Sequence, residues 1–305
     1  MQIYKTALVP LDGSELAEVV FNYARELAGR LGIDLILLHV YSPDEAESEP
    51  MRRTYIERAA ETIKHTSEEA REKAGIKYGD KPVKVTAHLS AGYPPDEILK
   101  YADANEVDLI LMATHGRTGI KRWTMGSVAD KVLRASKVPV WLVRAGVPEE
   151  IVQDKWPTRR ILALLDGSEV SEAILPHVEA VAKQRNAEQV EVILLTVSEP
   201  ALLPSYYPAT VPLNWEDHVE RIRRADDEYL SKIEKRLKDT GLNVRREVIA
   251  GKAADVVVDY VNNNSINLIV MSTHGRSGIG RWVFGSVAEK VLLGVTSPIL
   301  LVRPR

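Results

Sequence analysis

The chain contains no cysteine, which excludes disulfides, cysteine-held zinc and thiol catalysis. It also lacks any apolar run approaching the ~18–20 residues of a membrane-spanning helix. A large excess of charge of one sign is missing as well. A net charge of −3 gives no electrostatic case for nucleic acid or an anionic membrane surface as a partner. The stretch from Met1 to Pro10 reads straight into a strand and has no signal-peptide pattern, so a cytoplasmic location is expected. Two catalytic motifs are absent: the P-loop Gly-x4-Gly-Lys-Ser/Thr and the nucleophile elbow Gly-x-Ser-x-Gly. His39, His65, His88, His177 and His218 form no i, i+4 pair, so no metal site is expected.

What is present is a repeat. Thr114 to Ala129 recurs as Thr273 to Ala288, with twelve of sixteen positions identical at an offset of 159 residues. Each copy follows an apolar run (Leu109 to Met112, Leu268 to Met271) and precedes a helical pattern starting at Val128 or Val287. A strand, a glycine-rich loop and a helix opening on Gly-Ser suit an anion: glycine allows close backbone approach, and the first-turn N–H groups face the ligand. The plainer alternative makes Ser127 and Ser286 ordinary helix N-caps, with Gly126 and Gly285 serving helix–strand packing. His115 and His274 stand open between a general base and a loop-shaping role.

Along the chain, strands are expected at 3–9, 35–40, 83–89, 109–112 and 139–143, and again at 161–165, 192–197, 244–249, 268–271 and 298–303. Helices are expected from Ser14 to about Leu31, Met51 to Ala74, 96–104 and Val128 to about Ala135, and in the second half from Trp215 to Lys238 and Asp255 to Val261. Strands alternating with helices predict parallel, doubly wound sheets in two tandem domains, 1–147 and 157–305. Ligands in such sheets bind beyond the C-terminal strand ends, where the connections diverge. Asp12 and Asp166 would meet the glycine-rich loops there and accept from ribose hydroxyls or a base amino group. The alternative is that both are turn or cap aspartates.

Both halves resemble the universal stress protein domain, in the ATP-binding subgroup with the signature Gly-x2-Gly-x9-Gly-Ser/Thr. Its second and third glycines fall on Gly116 and Gly126, followed by Ser127, and on Gly275 and Gly285, followed by Ser286. The first glycine is replaced by Ala113 and Ser272, small residues expected to admit a nucleotide. The strand-one aspartate of the family matches Asp12 and Asp166, and its adenine-contacting aliphatic matches Val40 and Val197. The proline before the aspartate is kept as Pro10 and replaced by Leu164. Arg117, Arg276, Val128 and Val287 complete the binding positions implied. The resemblance further implies five-stranded parallel sheets of order 3-2-1-4-5 flanked by helices, and pairing of the two halves through their fifth strands. The expected ligand is ATP, or ADP or AMP, with Mg2+ as companion of the triphosphate; a homodimer is a further expected assembly. The function implied is a stress-linked sensor or regulatory binder with little or no turnover. Two alternatives on the same core are a slow ATP hydrolase or nucleotidyl transferase, and a structural stress protein that binds no nucleotide.

Overall fold

The computed structural model describes residues 3–75, 82–115, 125–145, 160–184, 190–199, 215–273 and 284–303. The first half runs β1 (Thr6–Leu11), α1 (Glu15–Glu18), α2 (Phe21–Gly29), β2 (Asp34–Tyr41), a 3-10 turn (Pro43–Ser48), α3 (Glu49–Lys73), β3 (Val85–Ala91), α4 (Pro94–Ala104), β4 (Leu109–Ala113), α5 (Ser127–Ala135) and β5 (Val140–Val143). The second runs β6 (Arg160–Leu164), α6 (Glu169–Glu172), α7 (Leu175–Gln184), β7 (Glu191–Ser198), α8 (Trp215–Lys238), β8 (Asn243–Ala250), α9 (Ala253–Asn263), β9 (Leu268–Ser272), α10 (Ser286–Gly294) and β10 (Ile299–Val302).

All ten strands form one sheet of order β3-β2-β1-β4-β5-β10-β9-β6-β7-β8. Each half therefore has the order 3-2-1-4-5 and is parallel throughout, and β5 pairs antiparallel with β10 through Val140↔Leu301, Trp141↔Leu300 and Leu142↔Ile299. The central strands β4, β5, β9 and β10 are buried at every residue, as apolar runs covered on both faces should be. Val9, Leu37 and Leu111 belong to one core, beneath α2 and α3. Leu8, Leu38 and Ile110 belong to the other, with Ile98 of α4 and Val132 of α5. The alternating strand β3 lies at the edge, as its pattern predicts.

Several boundaries differ from the sequence reading. The helix expected from Ser14 to Leu31 is two: Val19 stays in the right-handed helical region but marks the end of α1, and Val20 N–H bonds back three residues to Ala17 O at 3.4 Å. The hydrogen bonding tightens without the chain changing hand. Pro176 at the second position of α7 enforces the matching break in the second half. The polar, proline-containing stretch before α3 holds a 3-10 turn opened by Pro43. The link ending near Pro157 and the segment carrying Pro200, Pro204, Pro208 and Pro212 lie outside the described residues.

Candidate functional site

The strand ends of the first half build a crevice from short-range rules. β1 stops at Leu11, and Asp12 then folds a tight turn in which its Oδ1 accepts from Ser14 N–H at 3.0 Å and from Ser14 Oγ–H at 2.6 Å. Gly13 supplies the left-handed residue this turn needs, at φ 81°, and Gly167 repeats it at φ 82°. Ser14 caps α1 by accepting from Ala17 N–H. Asp166 and Ser168 repeat the whole device. The turn-aspartate reading is therefore correct for one carboxylate oxygen of each residue, and Asp12 also faces the cavity described next.

The repeated loop is pinched at its base. Gly126 N–H donates to Thr114 O at 2.9 Å, and Thr114 N–H donates to Val143 O at 2.8 Å. The second half matches, with Gly285 N–H to Thr273 O at 3.1 Å and Thr273 N–H to Val302 O at 3.0 Å. Thr114 is buried, and its Oγ1 takes the Ala145 N–H at 3.0 Å and meets His115 Nδ1 at 3.0 Å. That contact ties His115 into the loop base, in keeping with a loop-shaping role. Gly116, Arg117, His274, Gly275 and Arg276 lie outside the described residues.

The plainer alternative from the sequence does not hold for the caps. Ser127 and Ser286 are not N-caps: the caps are Gly126 and Gly285, both extended and without a side-chain bond, and each serine is the first helical residue. Both serines are exposed. The first-turn N–H groups of α5 and α10 are thus left without a capping side chain, the condition in which a helix start receives an anion.

A cavity of about 560 Å³ opens at these strand ends in the first half. Pro10, Asp12, Val40, Ala113, Gly126, Ser127 and Val128 all line it, gathered from β1, β2, β4 and α5. In the second half, Leu164 ends β6, Val197 is the penultimate residue of β7, Ser272 ends β9, and Gly285, Ser286 and Val287 open α10. Topology thus brings the ends of these strands and Asp166 to one rim.

Among the lining residues that escaped the sequence reading, Arg52, Glu45 and Tyr93 bring polar side chains. Arg52 is only 8% exposed; its Nε donates to Ser48 Oγ at 2.7 Å, its Nη1 to His39 Nε2 at 3.0 Å and its Nη2 to Glu45. Glu45 lines the cavity with it. Tyr93, half exposed at the rim, accepts from Lys131 Nζ, which also sits 4.7 Å from the ring centre; that hydrogen bond raises the lysine's pKa. The signal for Arg52 was its register: Arg52, Ile56, Ala59, Ala60 and Ile63 share the buried stripe of α3.

The family model of the universal stress protein family matches residues 3–144 and again residues 157–303. Universal stress protein MJ0531 of Methanocaldococcus jannaschii is 30% identical over 48% of this chain and 82% of its own length. Universal stress protein Rv2005c of Mycobacterium tuberculosis is 23% identical over 97% of this chain and 96% of its own. Among solved structures, a universal stress protein from Archaeoglobus fulgidus superposes with a TM-score of 0.65 at 21% identity, covering 98% of both chains. With both halves matched in tandem across nearly all of its length, the chain belongs to the universal stress protein family.

Proposed function

We propose that this protein binds an adenine nucleotide, ATP or its products ADP and AMP, in the crevice of each half, and acts in the cytoplasm as a stress-linked regulatory binder. The observation that carries the reading is the convergence of seven sequence-derived positions, from Pro10 to Val128, on one cavity. The cavity offers what a nucleotide needs: uncapped N–H groups at the start of α5 for phosphates, an aspartate at the end of β1 for the sugar, and apolar Val40, Ile98 and Met112 for a base. The second crevice, built on Asp166, Val197, Ser272, Gly285, Ser286 and Val287, is read the same way. The binding units are residues 1–147 and 157–305, and a homodimer of the tandem chain is the further assembly proposed.

Mg2+ accompanies the triphosphate in this reading, held mainly by phosphate oxygens and water. Turnover is slow, because the sequence carries neither a P-loop lysine nor a pair of catalytic carboxylates beside the loop. Calorimetry on ligand-stripped protein tests the reading. ATP should bind at micromolar Kd or tighter, about −8 kcal/mol, and steady-state hydrolysis should stay below about 1 s⁻¹. No binding of ATP, ADP or AMP at millimolar concentration would leave the purely structural alternative standing.

A further inference from the structure

The strand order fixes which end of a nucleotide lies where. In the first half β1 sits between β2 and β4, and neighbouring strands are ~4.8 Å apart, so the ends of β2 and β4 are separated by about 10 Å. That is about the span from the phosphates to the base of a mononucleotide. Phosphates at the start of α5, which follows β4, place the sugar over Asp12 and the base at the end of β2. The furniture at the end of β2 therefore determines which base is accepted.

Two charged side chains stand there. The Arg52 guanidinium has five N–H groups; among the described residues it spends three, on Ser48, His39 and Glu45. Arginine can only donate, so His39 Nε2 must accept, and the buried imidazole helps hold the guanidinium in place. The Tyr41 ring lies 6.0 Å from the guanidinium carbon. Glu45 accepts from Arg52 through Oε2. Its Oε1 has no protein partner among the described residues, and its side chain is half exposed. Both residues line the cavity. The pair thus presents a donor directly beside an acceptor, the pattern by which a side-chain amide reads adenine. Adenine offers N7 as acceptor and its N6 amino group as donor along one edge; guanine offers two acceptors, N7 and O6, and the second would face a carboxylate.

We propose that Arg52 and Glu45 together are the base-reading pair of the first site, with the Arg52 guanidinium donating to adenine N7 and the Glu45 carboxylate accepting from the N6 amino group. The proposal rests on the nucleotide reading above and adds to it the residues that choose the base. It is confined to the first half, because the end of β7 is furnished differently: Ser198 donates there to Asp226, an anion.

The test uses full-length protein in which Ser286→Asp disables the second site, titrated with ATP, 7-deaza-ATP and GTP. 7-deaza-ATP lacks only the N7 acceptor. Loss of one hydrogen bond to a buried charged donor should weaken it about tenfold relative to ATP, and GTP should be weaker still. Arg52→Met should bring the ATP to 7-deaza-ATP ratio to about one, and Glu45→Gln should narrow the ATP to GTP gap. The analogue titration on the unaltered first site stands by itself if either variant folds poorly. Equal affinity for ATP and 7-deaza-ATP in protein that does bind ATP overturns the base-reading pair alone. Absence of any nucleotide binding at that site overturns the parent reading with it.

Discussion

A methyl group distinguishes the two glycines that cap α5 and α10. Both have backbone angles any residue adopts, near φ −60° and ψ 148°, so only space decides. A Cβ on Gly126 would stand 2.8 Å from Thr114 O, whereas on Gly285 it would stand 3.9 Å from Thr273 O. Gly126→Ala should therefore destabilise the protein by about 1–3 kcal/mol, as overpacking does, while Gly285→Ala should leave the urea midpoint unchanged. Equal effects would mean that the two loop bases are not packed differently. At this scale the convergence of Pro10, Asp12, Val40 and Ser127 on one cavity wall was legible: Asp12 and Ser127 recur as Asp166 and Ser286, whereas Pro10, which Leu164 replaces in the second half, and Val40 came from the family resemblance. Two facts were not. Ser127 follows the cap instead of forming it, because the pinch between Gly126 and Thr114 O sets the cap one residue earlier. Arg52 sits in a helix whose sequence is charged all along, and it becomes a wall of the cavity once the 3-10 turn places Ser48 and Glu45 around it.

Helices and strands were legible where apolar periodicity is strong, and less so at their ends. The helix from Trp215 to Lys238 was read with its observed bounds, and both Pro94 and Pro95 proved to belong to the first turn of α4, where proline is tolerated. What periodicity does not encode is how an edge strand is held. Arg246 of β8 grips α8 by donating to Asp227 through Nε at 2.8 Å and to Glu234 through Nη1. Its hydrogen bond holds the Asp227 carboxyl below the usual range. Burial pushes Glu234 upward, but hydrogen bonds from Lys238 and Arg246 outweigh it and the net shift is downward. Carboxylates with depressed folded-state pKa values contribute stability that is fully present above their unfolded values of about 4 and fades as pH falls through the folded ones. Arg246→Gln should therefore cost about 2 kcal/mol at pH 7, since Glu234 is left largely buried. The difference from the unaltered protein should shrink steadily below pH 4 in urea titrations. A penalty independent of pH would assign the role of Arg246 to packing alone.

Across the whole molecule the two halves exchange arginines. Arg144, just past β5, donates to Leu293 O at 2.8 Å and Val295 O at 2.9 Å at the end of α10. Arg303, just past β10, donates to Arg134 O at 3.1 Å and Ser136 O at 3.3 Å at the end of α5. α5 and α10 thus each have two carbonyls at their C-terminal end bonded by a cation from the other half, where a positive charge also suits the helix dipole. Arg144→Ala or Arg303→Ala should each lower stability by about 2 kcal/mol, because charge-assisted bonds to part-buried carbonyls are lost. Unchanged urea midpoints would show that water replaces the guanidinium at no cost. Pairing through the fifth strands was legible by resemblance, since the halves share one pattern. The exchanged caps were not, because donor and acceptor lie 149 to 169 residues apart and nothing local marks them.

The central claim is that the starts of α5 and α10 receive the phosphates, and a substitution that helps a helix while repelling a phosphate tests it most directly. An acidic residue at a first helical position stabilises the helix through its dipole. Ser127→Asp and Ser286→Asp should leave the urea midpoint unchanged or raised. Calorimetry with ATP should then show two sites in the unaltered chain, one in each single variant and none in the double. Full ATP stoichiometry and affinity in the folded double variant would contradict the account.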